Sequence, residues 1–238
     1  MNRKESQMAL GNIIITGGAS GLGAATVKAV TRHGGTPLVI DRNDPQAGDS
    51  PVAFARADLA DTEAVDAAVR ALAEQVDGQI HGVLTAGGTD VCGKLDDVAV
   101  KDWERVIHVN LLGTAAVIRS ALPYLKDTGG RIVTCASTLG IKAVSDATAY
   151  CASKFGVIGF SRALAAELAG EVGVTTLIPG GMHTAFFDSR EEQYKPPPDA
   201  KLNQPEHVAD TVVFALSQPA GCEVRELVVC ASTESSWP

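Results

Sequence analysis

The chain has 238 residues, 45% of them apolar, enough to bury one substantial core and to fold as a single domain over 1–238. Its formal net charge is -8, with the basic residues scattered, which leaves no cationic footprint for nucleic acid or anionic lipid and makes a small molecule the default partner. The amino terminus "MNRKESQMAL" lacks the apolar run of a signal peptide, and no stretch approaches the ~20 apolar residues of a membrane span, so a cytoplasmic protein is expected.

Seven short runs with the length and β-branched content of buried strands lie at 12–16, 37–41, 52–55, 81–86, 131–135, 175–178 and 226–230. Helical patterns separate them. The clearest is 62–76, where Val65, Ala68, Val69, Leu72 and Val76 recur at helical spacing to give one apolar stripe. Strand and helix in alternation predict an α/β fold of the Rossmann type, doubly wound, whose seven-stranded parallel sheet carries helices on both faces. The one break is "DSREEQYKPPPDAK", 188–201, where three consecutive prolines forbid a helix and leave a surface loop or a lid.

Three features carry chemistry. After the first strand, "TGGASGLG" (16–23) leads straight into a helical segment. Glycines in that setting allow a tight turn and close approach of backbone to a pyrophosphate, which the helix amino terminus also attracts. The second strand ends in Asp41, where a carboxylate can accept hydrogen bonds from the two hydroxyls of an adenosine ribose. Finally, "AYCASK" sets Tyr150 and Lys154 four residues apart on one helix face. Alone, such a pair is more often surface packing. Beside a cofactor, the ammonium would lower the phenol's pKa from about 10 and make an acid/base device. Five cysteines (92, 135, 151, 222 and 230) and five histidines show no ligand spacing, so no metal is expected; His183 reads as a solvated loop residue.

Together these motifs resemble the short-chain dehydrogenase/reductase family over nearly the whole chain. The family's T-G-x-x-x-G-x-G is matched by Thr16, Gly17, Gly21 and Gly23, its Y-x-x-x-K by Tyr150 and Lys154, and the serine thirteen residues before the tyrosine by Ser137. Its helix asparagine falls on Asn110, its P-G-x-x-x-T on Pro179, Gly180 and Thr184, and its adenine-side acid on Asp58. The resemblance implies hydride transfer between a nicotinamide cofactor and the secondary alcohol or ketone of a small, largely apolar substrate. Asp41, and the absence of a basic residue at Ser20, favour NAD over NADP.

By the same resemblance the catalytic set is Asn110, Ser137, Tyr150 and Lys154. Tyr150 exchanges the proton, Lys154 lowers its pKa and binds the nicotinamide ribose, Ser137 holds the substrate oxygen, and Asn110 holds a water linking Lys154 to solvent. The cofactor site would comprise Gly17, Ser20, Gly21, Leu22, Gly23, Asp41, Arg42, Asp58, Leu59, Ala86, Gly87, Tyr150, Lys154, Pro179, Gly180 and Thr184. A lid around 182–200 would cover the substrate, with contact area from Phe186, Phe187 and Tyr194 and pocket walls from Thr89, Val91, Leu139, Val144 and Asp146. A homodimer or homotetramer would pack through the helices around 103–125 and 149–169.

The chain departs from the family at "TAG" (Thr85–Gly87) for N-A-G, at Ala136 for the usual serine, and at its carboxyl end "ELVVCASTESSWP" (226–238), which lacks the usual glycine pair; the tail from Ala231 to Pro238 should dock on its own or a neighbouring subunit, or fray. Two rival readings are a non-catalytic dinucleotide sensor, which typically loses the tyrosine or lysine, and an NADPH-dependent 3-oxoacyl carrier-protein reductase, against which Asp41 argues.

Overall fold

A computed structural model of the chain describes residues 10–45 and 53–237. Most of the amino-terminal stretch read for a signal run, Val52 at the predicted start of the third strand, and Pro238 lie outside the described residues.

Three consecutive isoleucines show how the sheet is buried. Ile13, Ile14 and Ile15 of β1 (Asn12–Thr16) are all sealed from solvent, and successive side chains of a strand point to opposite faces. Ile14 therefore enters one core, and Ile13 and Ile15 the other. The same alternation sends Leu38 and Ile40 of β2 (Thr36–Asp41) one way and Val39 the other. With β3 (Ala53–Arg56), β4 (Gly82–Thr85), β5 (Arg131–Cys135), β6 (Gly173–Pro179) and β7 (Glu226–Val229), the sheet is seven-stranded and parallel throughout, in the order β3-β2-β1-β4-β5-β6-β7. Every predicted strand is present, with only its ends shifted.

Helices α1 (Gly21–Arg32) and α6 (Pro205–Leu216) fill one face with residues such as Val30 and Val212. The other face is covered by α2 (Thr62–Glu74) and α4 (Gly113–Thr128), joined by α5 (Thr148–Glu167) through Leu164. In α2 the Asp61 carboxylate accepts hydrogen bonds from the Glu63 and Ala64 N–H groups and fixes the start of the helix. Its predicted stripe is buried from Val65 to Leu72, while Val76 lies beyond the helix end and is only partly covered.

Helix α3 (Val100–Ile107) runs into α4 through one π turn (His108–Leu112). The resulting helix, Val100–Thr128, is by length and composition apolar enough to cross a membrane, which corrects the expectation that no stretch comes near that measure. Here Val106, Val117, Ile118, Ala121 and Leu125 are buried against the rest of the chain, so the apolar stripe serves the core.

The fold positions a site at one place above all. From β1 the sheet grows towards β2 and β3 on one side and towards β4 on the other. Helices therefore diverge at the carboxyl ends of β1 and β4, and a doubly wound sheet binds its ligands in the crevice opened there.

Candidate active site

A groove of about 540 Å³ runs along that crevice. Its floor is backbone. Gly17 has a φ of 72°, and a Cβ added there would stand 2.8 Å from the Cα and nitrogen of Gly87; one added at Gly23 would stand 2.1 Å from the Gly17 carbonyl oxygen. The loop thus needs glycine at 17 to lie against the segment after β4 and at 23 to close on itself. Ser20 occupies the N-cap of α1, but its hydroxyl makes no capping bond, so the helix presents unsatisfied N–H groups to the crevice. Thr16 reinforces the contact, its hydroxyl accepting a hydrogen bond from the Gly87 N–H at 3.1 Å.

The far end of the groove is acidic. One Asp41 oxygen accepts from the Ala19 N–H at 3.0 Å and the other from the Asn43 N–H at 2.9 Å, which pins the carboxylate between the glycine loop and the turn after β2. Arg42 is exposed beside it. Asp58 accepts from the Ala60 N–H and pairs with Arg105 at 2.8 Å. Burial pulls its pKa up, but the Ala60 and Arg105 bonds outweigh this and hold the carboxyl below its usual range. Nothing local in the sequence marks Arg105 as the partner.

At the other end, Tyr150 and Lys154 project from the first turns of α5, and Ser137 caps the short 3-10 turn (Thr138–Gly140) that follows β5. The Lys154 Nζ lies 5.5 Å from the centre of the Tyr150 ring and donates to the Cys135 carbonyl at 2.8 Å. Ser137 is buried, and its hydroxyl accepts from the Leu139 N–H.

The surroundings of the phenol run against the lowered pKa that the Tyr150–Lys154 spacing suggests. Burial raises the pKa of Tyr150 above the usual phenol value, assisted by the nearby Cys135 and Asp90, and the hydrogen bond with Ser137 only partly offsets it. Burial also lowers the pKa of Lys154. Desolvation, not the lysine, sets the direction.

Every predicted cofactor residue, together with Ser137, lines this groove, but Asn110 does not. Its side-chain oxygen accepts from the Thr89 N–H at 2.8 Å, and its amide donates to the Thr89 carbonyl at 2.9 Å and to Ser153 at 3.0 Å. Asn110 thereby ties the loop after β4 to α5. Thr85 also behaves otherwise than its replacement of asparagine suggests: its hydroxyl is buried and has no hydrogen-bond partner.

The segment after β6 crosses the groove as a strap. Its two ends are fastened together, with the His183 N–H donating to the Asn203 carbonyl and the Asn203 N–H to the Gly181 carbonyl. Phe186 and Phe187 line the groove, with Phe186 5.8 Å from the Tyr150 ring, whereas Tyr194 and His183 face elsewhere. Of the other predicted walls, Thr89, Leu139 and Val144 line it and Val91 and Asp146 do not. A pairing not legible in the sequence latches the strap: Arg190 bonds Asp90 at 2.6 Å, and its guanidinium lies 4.7 Å from the centre of the Phe187 ring. Both charged side chains are largely buried, at 17% and 5% exposure.

Asp90→Ala would leave the guanidinium buried without its carboxylate, a change that typically costs about 3–5 kcal/mol. The strap is expected to open locally, and proteolysis within 188–201 should accelerate at least tenfold in the variant; an unchanged cleavage rate would mean the pair fastens nothing.

Comparison with known proteins decides the lineage. The sequence profile described as short chain dehydrogenase matches residues 11–195. The chain belongs to the short-chain dehydrogenase family. Its relatives include an uncharacterized oxidoreductase of Staphylococcus epidermidis, 28% identical over 224 residues that cover 91% of this chain and 95% of that one. Another, from Staphylococcus aureus, is 29% identical over 225 residues with the same coverage.

Solved structures share the fold at lower identity. An alcohol dehydrogenase from Thermococcus sibiricus, complexed with 5-hydroxy-NADP, superposes with a TM-score of 0.83 at 23% identity, covering 94% of this chain and 97% of that one. The aldohexose dehydrogenase of Thermoplasma acidophilum gives 0.82 at 23% identity, with 92% and 91% covered. As a short-chain dehydrogenase, the protein is an NAD(P)-dependent oxidoreductase.

Proposed function

We propose that this short-chain dehydrogenase uses NAD in preference to NADP to interconvert a secondary alcohol and a ketone on a small, largely apolar substrate. The observation that carries the reading is one continuous groove with Asp41 at one end and Ser137, Tyr150 and Lys154 at the other. Its residues fit a dinucleotide: the backbone floor at Gly17 and Gly23 leaves no room for side chains, and the open amino terminus of α1 suits a pyrophosphate. When bound, the nicotinamide supplies or accepts the hydride.

The chain's own residues do the rest. Tyr150 takes the hydroxyl proton in oxidation and returns it in reduction. Ser137 holds the substrate oxygen as its charge changes, an electrostatic role. Lys154, whose ammonium already reaches the Cys135 carbonyl, binds the nicotinamide ribose and stabilises the phenolate. Asn110 acts as a positioning residue through Thr89 and Ser153. Thr184 and the Pro179–Gly180 turn receive the nicotinamide amide, and the strap serves as the lid, its phenylalanines covering an apolar substrate body.

A complete set of serine, tyrosine and lysine supports a catalyst over a dinucleotide sensor. Asp41 and the uncharged Ser20 speak against the NADPH-dependent carrier-protein reductase reading. The test is a screen of secondary alcohols with NAD and of ketones with NADH, following absorbance of the reduced nicotinamide. Turnover of several members is expected; NADH binding without any turnover would favour the sensor.

The proposal includes a homo-oligomer, with the cytoplasm as its compartment. Leu112 and Phe155, 43% and 45% exposed, leave apolar surface on the helices where a two-fold partner would pack. Light scattering at micromolar concentration should give at least a dimer, and a monomer there would refute the assembly.

A further inference from the structure

After β7 the chain turns back on itself, with the Glu234 N–H donating to the Ala231 carbonyl, and the tail enters the groove beyond the catalytic serine. We propose that this tail forms a polar wall of the chain's own substrate pocket, in which the Glu234 carboxylate accepts a hydrogen bond from a second donor group, hydroxyl or ammonium, carried by the substrate. The inference rests on the alcohol/ketone reading above and narrows its substrate class.

Three observations support it. First, the tail is fastened in place rather than frayed: Ser236 and Thr138 share a hydroxyl–hydroxyl bond at 2.6 Å, and Lys142 donates to the Ser235 carbonyl at 2.8 Å. Thr138 adjoins Ser137, so the wall begins beside the group that would hold the reacting oxygen. Both Glu234 and Ser236 line the groove.

Second, the carboxylate is charged and has acceptor capacity left. One oxygen takes the Gly181 N–H at 3.1 Å, and the other takes the N–H and hydroxyl of Ser236 at 3.1 and 2.7 Å. All three donors are uncharged, and an ionised carboxylate can accept about four hydrogen bonds. Burial pulls the Glu234 pKa up, but chiefly the Ser236 bonds and the Gly181 bond outweigh it and hold the carboxyl below its usual range.

Third, other lining near Tyr150 is of opposite character. Phe186, 5.8 Å from the Tyr150 ring, and Phe187 bring apolar rings to the groove, and the Arg190 charge beside them is already paired with Asp90. The pocket thus combines an apolar side with one anionic acceptor. It suits an apolar body bearing a donor, such as a diol, a hydroxyketone or an amino alcohol, and disfavours carboxylates and phosphates.

The test compares matched alcohols on the full chain with NAD: cyclohexanol against cyclohexane-1,2-diol, and 2-butanol against 1-amino-2-propanol. A hydrogen bond to a charged group should give the donor-bearing member at least about a tenfold advantage in kcat/KM in the wild type. In Glu234→Gln that advantage should fall to within about threefold of unity, through KM, while NADH binding followed by its fluorescence stays unchanged.

A wild-type measurement guards against a variant that does not fold: as competitive inhibitors, cyclohexylamine should bind at least about tenfold tighter than cyclohexanecarboxylate. Equal inhibition, an advantage that survives Glu234→Gln, or a parallel loss of NADH binding would overturn the inference and leave Glu234 as an anchor of the Gly181 turn. Failure of every alcohol to turn over, with NADH still bound, would overturn the alcohol/ketone reading and the inference with it.

Discussion

Replacing Tyr150 with phenylalanine is expected to lower kcat by about 10² to 10⁴ while NADH binds nearly as before. The substitution deletes the proton-carrying oxygen and keeps the ring, whose packing against Phe186 at 5.8 Å does not require the hydroxyl. Steady-state rates together with NADH fluorescence titration separate the two effects. Retention of more than half the wild-type kcat would remove Tyr150 from the mechanism.

The wild-type pH profile should carry the same signature. Oxidation needs the phenolate, and burial raises the Tyr150 pKa, so at neutral pH the phenol predominates. Below that pKa each unit of pH brings about tenfold more phenolate. The kcat/KM for alcohol oxidation should therefore climb from about pH 7 to about pH 9. Ketone reduction, which uses the phenol, should not climb. A flat oxidation profile would show that Lys154 and the bound cofactor overcome desolvation completely.

What was legible in the sequence divides by distance along the chain. The sheet could be read because strand alternation is local: Ile13 to Ile15 announce a doubly covered strand by composition alone. The glycine loop was legible for a related reason, since its requirement for missing Cβ atoms is written into a single short segment. Pairings between distant segments leave no such trace. Asp90 and Arg190 are separated by 100 positions, and Glu234 and Gly181 by 53, so the latch on the strap and the wall formed by the tail emerge only once the chain is folded.

The sign of the Tyr150 shift has the same origin. Spacing places Lys154 next to Tyr150 but says nothing about how far both are removed from water, and burial decides the sign of the shift. Likewise, Asn110 was located by motif, yet its role depends on which backbone it meets, and that backbone belongs to Thr89.

The wild-type enzyme is expected to favour NAD over NADP by at least about tenfold in kcat/KM. Asp41 stands at the end of β2 with its carboxylate held by the Ala19 and Asn43 N–H groups, so its position at the rim of the groove is fixed before any ligand arrives. There it can accept hydrogen bonds from both ribose hydroxyls of NAD. The 2'-phosphate of NADP would remove one of those donors and bring like charge against the carboxylate. A hydrogen bond to a charged group contributes roughly 1.5 to 3 kcal/mol, and about 1.4 kcal/mol is already tenfold. The opposing influence is Arg42, whose guanidinium is exposed beside the groove and suited to pair with a phosphate. Asp41 should dominate because two backbone bonds hold it, whereas the Arg42 side chain must order itself to reach the phosphate. Asp41→Ala should accordingly weaken NAD and improve NADP, with Arg42 assisting, and Asp41→Asn, which keeps an acceptor for the Ala19 N–H, should separate loss of charge from loosening of the loop. Equal kcat/KM for the two cofactors in the wild type would show that Arg42 outweighs the carboxylate.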